Sequence, residues 1–199
     1  MDNTTKQAFI EAIARFEPLS SQVVDCITQK LQVQRLPKGT ALLTLGEVCH
    51  RLYFLQSGLA YAYYALQHQE VTSWFVKEGD FIYSPQSFLK REPSKEAILL
   101  LEDAELVSLT FDDMEAIYDA YPITNKIGRL ITEYYILKYD ERARFLRSYN
   151  NEQRFKLFMD ADPPLFERLP LKLVASFLGT VPATLSRILS KKNKCSNSN

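Results

Sequence analysis

Arg187, with Thr184 and Ser186 close by, is the densest set of side chains in the sequence suited to reading a polyanion. A guanidinium can pair bidentately with a guanine edge, and hydroxyls suit phosphate oxygens. These residues lie in the window Leu169–Leu189, LPLKLVASFLGTVPATLSRIL, and from Leu169 onward there are five basic residues and no acidic one. The chain as a whole has 24 Lys and Arg against 24 Asp and Glu, a net charge of zero. The distribution is uneven: residues 1–147 hold 16 basic and 20 acidic side chains, residues 148–199 hold 8 and 4. An acidic body with a basic end points to a polyanionic partner, although charge alone fits a solvated terminus equally well.

Other chemistry is poorly provided for. Cys26, Cys49 and Cys195 are scattered, as are His50 and His68, and none stand at metal-ligand spacing. No metal and no cofactor are therefore expected. His50 and His68 are candidate haem ligands, but they fit turns between strands better. The carboxylate pairs Glu102-Asp103 and Asp112-Asp113 fall at element ends, where they serve as caps and solvated turns. With no nucleophile–base pattern and no GxGxxG or Walker sequence, no catalytic residue is assigned and the protein is not expected to be an enzyme.

The elements that must position Arg187 follow from periodicity. Residues 5–31 read as helical, interrupted at Pro18. Short segments rich in Val, Leu, Tyr and Phe follow, at 40–45, 52–56, 59–66, 70–76, 80–82, 97–102 and 104–110, separated by glycines and polar clusters. Such spacing predicts an antiparallel sandwich or barrel, with Trp74 and Tyr61 as strand core. Residues 83–96 lack alternation and form either a binding loop or a solvated connector. Asp112 or Asp113 caps a helix over 114–120, and a long helix then runs to about Tyr149. Its apolar steps at Ile127, Leu130, Tyr134 and Leu137, with Ile131 beside them, make a coiled-coil seam or a face buried on its own domain; the length favours a dimer.

Residues 150–199 are all helical in pattern, with Asn150 or Asn151 as a cap, a break at Asp160–Pro164 and a polar end over Asn193–Asn199. Leu171–Leu178 is a short helix, Gly179 supplies a left-handed end, and Pro182 opens the next helix. Leu185, Ile188 and Leu189 face inward, which leaves Thr184, Ser186, Arg187 and Lys191 facing outward. The pattern is that of a helix-turn-helix, and an ordinary helical hairpin shares it; the acid-free basic tail favours DNA. Thr180, Pro182, Thr184, Ser186, Arg187 and Lys191 are the candidate DNA-contacting residues.

Nearly the whole chain resembles the Crp/Fnr family of bacterial transcription regulators. The similarity rests on Leu36-Pro37-Lys38-Gly39 with Leu45-Gly46-Glu47, on Leu52–Gly58, on Glu78-Gly79-Asp80-Phe81-Ile82, and on Leu169–Leu189 without a gap. It is most similar to the short, wingless members common in Bacteroidetes. The resemblance implies an α+β chain: an N-terminal antiparallel β-roll of the double-stranded jelly-roll type with flanking helices over 1–112, a connecting and dimerisation helix over 113–149, and an all-α helix-turn-helix domain over 150–199. It implies duplex DNA, a second copy and RNA polymerase as partners. With no apolar segment long enough for a membrane span and no leader-like N-terminus, a cytoplasmic location is expected.

The resemblance also marks departures. Family members that bind cyclic AMP use a glutamate after G-D-F-I and an arginine before the next strand; here these positions read Ser84 and Ser94 or Lys95. Cyclic AMP binding is therefore expected to be lost or weak, with an unidentified small molecule or no effector in its place. Ser84, Gln86, Ser87, Ser94 and Lys95 are the candidate effector-pocket residues. The alternative to a dimeric regulator is a ligand-binding or protein-interaction module whose tail no longer reads DNA.

Overall fold

The computed structural model describes the backbone of residues 2–67 and 69–196 and side chains as far as Ser190. Two helices, α1 (Asp2–Ala14) and α2 (Ser21–Lys30), precede eight strands: β1 (Gln32–Leu36), β2 (Ala41–Leu43), β3 (Arg51–Ser57), β4 (Ala60–Leu66), β5 (Gln69–Val76), β6 (Phe81–Ile82), β7 (Glu96–Leu100) and β8 (Ala104–Thr110). A one-and-a-half-turn helix, α3 (Pro85–Lys90), lies between β6 and β7. The strands form two four-stranded antiparallel sheets, in the orders β1-β8-β3-β6 and β2-β7-β4-β5, which face each other as a roll.

The roll is apolar on both faces of its first sheet. In β3, Leu55 points into the roll with Ile82, Ile98 and Leu106, while its neighbour Phe54 points outward against α1. There Phe9, Phe54 and Phe81 meet at ring separations of 5.4 to 6.0 Å. A strand covered on both sides reads as a continuous apolar run rather than an alternation, as Leu52–Leu55 does.

Three local features differ from the expectations. The strand β1 was not anticipated because Gln-Val-Gln-Arg-Leu has only two apolar side chains; it is an edge strand held by β8. Residues 83–96 are not simply a loop, since Pro85 starts α3 and Arg91 ends it in the left-handed region at φ +57°. Thr110, not Asp112 or Asp113, caps α4 (Phe111–Ala120): its hydroxyl accepts from the Asp113 amide at 3.0 Å and donates to the Asp113 carboxylate.

The long helix α5 (Ile123–Ser148) has 26 residues. Asn150 then builds a capping box with Gln153 to open α6 (Asn151–Ala161), followed by α7 (Pro163–Arg168), α8 (Leu171–Phe177) and α9 (Pro182–Ser196). Phe155, Val174, Leu178 and Leu185 form their core, and Leu59, from the roll, is fully buried in it. Among the described residues no single helix is long and apolar enough to cross a membrane.

Candidate functional site

The tail is built around a tight turn. At the end of α8 the Thr180 amide donates to the Ala175 carbonyl at 2.9 Å and the Gly179 amide to Ser176 at 3.0 Å. With Gly179 at φ +70°, these bonds make a Schellman ending. The chain bends by 108° between α8 and α9, within the range of helix-turn-helix pairs. Arg154 on α6 braces the turn by donating to the Leu178 carbonyl, and Asn151 donates to the Thr180 hydroxyl at 3.1 Å.

The turn sets which side chains are free. Leu185 is fully buried and Ile188 and Leu189 partly so, whereas Pro182, Ser186 and Arg187 are exposed and Thr184 is half-buried. Thr180 is half-buried and already engaged by Asn151. Lys191 lies in α9, but its side chain falls outside the described residues, as does His68.

The expected seam of α5 is divided. Ile127 is 4% exposed and Ile131 half-buried, both packed on the cluster beneath α1 of the same chain. These two residues therefore serve the chain's own core. Tyr134, at 43%, and Leu137, at 63%, remain exposed, with Leu130 half-buried beside them.

The cassette after β6 closes on itself. Ser84, Ser87 and Ser94 are buried. Ser94 donates to Ser84 at 3.1 Å, Ser84 donates to the Glu96 carboxylate at 3.3 Å, and the Ser87 hydroxyl joins the Cys49 amide to the Glu92 carbonyl. Gln86 and Lys95 point to solvent. None of these five residues lines the cavity that lies between β5, α5 and the C-terminal helices.

That cavity, about 300 Å³, is walled by β5 and the β5–β6 segment, by α5 and by the C-terminal domain, through Phe158, Leu165 and Phe177. Tyr135 on α5 donates to the Asp80 carboxylate at 3.0 Å, and Lys138 lies 3.4 Å from the same group. Arg142 donates to the Phe177 carbonyl and stacks 3.5 Å from the centroid of its ring. Burial, with Arg154 nearby, pushes the Arg142 guanidinium down to about 10. Sequence reasoning missed this site because three separate parts of the chain build it. One signal was available: Tyr135, Lys138, Tyr139 and Arg142 share a helix face that is neither apolar seam nor simple solvent surface.

Arg168 joins the roll to the C-terminal domain. Its guanidinium contacts both Glu78 (2.8 Å) and Glu102 (2.6 Å), and it donates to the Gly58 carbonyl at 3.0 Å. The Arg168 contact holds the Glu78 carboxyl below its usual range. Lys77 pairs with Asp162, and the Thr72 amide donates to the Ser176 hydroxyl at 2.9 Å.

Comparison with known proteins agrees with this architecture. Residues 33–121 match the family model of the cyclic nucleotide-binding domain. No curated protein matches the chain. Among solved structures, the c-di-GMP responsive global regulator CLP of Xanthomonas campestris is similar at TM-score 0.70 and 15% identity, over 89% of this chain and 93% of that one. FixK2 of Bradyrhizobium japonicum is similar at 0.69 and 15%, over 83% and 86%. A putative transcriptional regulator of the Crp/Fnr family from Eubacterium rectale is similar at 0.65 and 16%, over 87% and 83%. Residues 33–121 thus match the cyclic nucleotide-binding domain model, in a chain that shares the fold of the solved Crp/Fnr-type structures.

Proposed function

We propose that the chain is a transcription regulator that acts as a homodimer on duplex DNA, with α9 as the reading helix and a roll that no longer responds to cyclic AMP. The observation that carries this is the tail. A 108° helix pair, closed by a Schellman turn, leaves Ser186 and Arg187 exposed while Leu185 anchors the helix from behind. Arg187 is exposed on α9, which presents its guanidinium to a guanine edge. In a dimer joined along Leu130, Tyr134 and Leu137, two such helices would enter successive major grooves about 34 Å apart. RNA polymerase is the further partner expected of such a regulator.

The loss of cyclic AMP is supported by the cassette. The arginine position reads Ser94 or Lys95: the Ser94 hydroxyl is buried and bonded to Ser84 and to the Glu96 carbonyl, and Lys95 points to solvent, so neither supplies the forked cation that pairs a cyclic phosphate.

The test is a mobility-shift assay at fixed salt on a duplex selected from random sequence. Arg187→Ala is expected to weaken specific binding by about 1–3 kcal/mol. Retention of the unaltered chain on heparin and random duplex should fall steeply with salt. A flat salt slope would favour an interaction module that has left DNA behind.

A further inference from the structure

The leading end of α9 carries apolar side chains where base-reading groups of such a helix stand. Val181, Pro182 and Ala183 are three consecutive exposed residues without a polar side-chain atom, Val181 at 59%. An exposed apolar run of that length on a protein surface calls for a partner. The hydroxyls on either side do not offset it. Thr180 is half-buried and accepts from Asn151 at 3.1 Å, and Thr184 is half-buried as well. The next exposed polar side chains along α9 are Ser186 and Arg187.

Helix geometry sets the apolar and polar groups on one face. Residues four apart lie one above the other, so Ala183 stands one turn from Arg187 and Pro182 one turn from Ser186. Leu185, fully buried behind them, keeps that face outward. A turn rises about 5.4 Å and base pairs stack about 3.4 Å apart, so the two ends of the face span about two base pairs. The occupant follows from the surroundings. The patch adjoins a guanidinium, and from Leu169 onward the chain has five basic residues and no acidic one, so this surface favours a polyanion. Phosphate oxygens are no partner for Val181 or Ala183. In the major groove, the apolar group that tells one base from another is the 5-methyl of thymine.

We propose that Val181 and Ala183 read thymine through that methyl group, so that each half-site carries thymine within about two base pairs of the guanine met by Arg187. The Gly179 turn and the Asn151 bond to Thr180 hold Val181 at the front of α9. Cytosine at the same place would set an amino donor against Val181 with no acceptor to receive it. The inference deepens the reading of the chain as a DNA-binding regulator and rests on it.

The experiment first selects a half-site from random duplex with the full chain. Each thymine is then replaced by deoxyuridine, which keeps the base pairing and removes only the methyl. Affinity is expected to fall about fourfold at one or more thymines beside the selected guanine, the worth of one buried methyl group, and to stay unchanged at thymines farther out. Val181→Ser and Ala183→Ser should bring the thymine and uracil duplexes to equal affinity at the position each residue reads. Heparin retention of both variants should match that of the unaltered chain, because neither substitution changes a charge. The thymine-to-uracil ratio on the unaltered chain stands even if a variant does not fold. Selective binding with equal affinity for thymine and uracil, a selected half-site without thymine near the guanine, or a methyl preference that survives both substitutions would overturn the proposal and leave the regulator in place. Absence of any selected duplex, with a flat salt slope on heparin, would instead remove the DNA reading itself and leave Val181, Pro182 and Ala183 as a protein-docking face.

Discussion

Leu185 and Gly179 determine where Arg187 points, although neither is expected to touch a partner. Leu185 is fully buried two positions before Arg187 and fixes the rotation of α9. Leu185→Ala is expected to cost about 2–5 kcal/mol, measured by chemical denaturation, because it empties a packed site in a small core. Gly179 adopts φ +70°, and a Cβ there would lie 3.3 Å from Arg154 Nη1, the group bracing the turn. Gly179→Ala should therefore destabilise by about 1–2 kcal/mol through backbone strain alone. Both effects precede any question of DNA contact. Much of this was legible in the sequence: the Gly-Thr-Val-Pro turn and the spacing of Leu185, Ile188 and Leu189 specify the exposed face. The engagement of Thr180 was not legible, because Asn151 lies 29 positions away and reaches it only after α6 has folded.

At the scale of one element, α5 shows how a single periodicity can serve two surfaces. A heptad-like run placed Ile127 and Tyr134 on one stripe. The structure splits that stripe, turning Ile127 and Ile131 toward α1 and leaving Tyr134 and Leu137 outside. The ambiguity is physical: 3.6 residues per turn leaves adjacent stripes that blend when both are apolar. The two halves should respond differently. Leu137→Glu is expected to halve the mass seen by light scattering while leaving the helical circular dichroism intact. Ile127→Ala should instead lower stability by about 2–5 kcal/mol, measured by denaturant unfolding. Helices and most strands could be read from the chain because their patterns are local. The edge strand β1 could not, since its pairing with β8 spans some seventy residues and its own composition is polar.

At the scale of the whole molecule, polar bridges hold the C-terminal domain to the roll. The Arg168 bridge to Glu78 and Glu102 is the most connected of them. Since the contact lowers the Glu78 carboxyl below 4.5, its stabilisation is complete above that pH and is lost as pH falls through the lowered value. Acidification below about pH 4.5 should thus loosen the two parts, seen in calorimetry as a single transition separating into two. Arg168→Gln should produce the same separation at neutral pH and remove most of the acid dependence. Neither the bridge nor the cavity against α5 could be found in the sequence, because each gathers residues from the roll and from the tail. The sequence singled out Ser84, Gln86, Ser87, Ser94 and Lys95 on resemblance; in the folded chain Ser84 and Ser94 bond to each other, and the cavity against α5 is lined by other residues.

Leu59 is a peg from one half of the protein seated in the other. Its carbonyl is tied to Leu101 at 2.7 Å, and its side chain is fully enclosed among Phe155, Val174 and Leu185. A reading head transplanted without it would carry a hole at its centre. Chimeras that exchange residues 150–199 between sensors should therefore fail unless an equivalent leucine travels with them, and swapped pairs that keep the peg should fold.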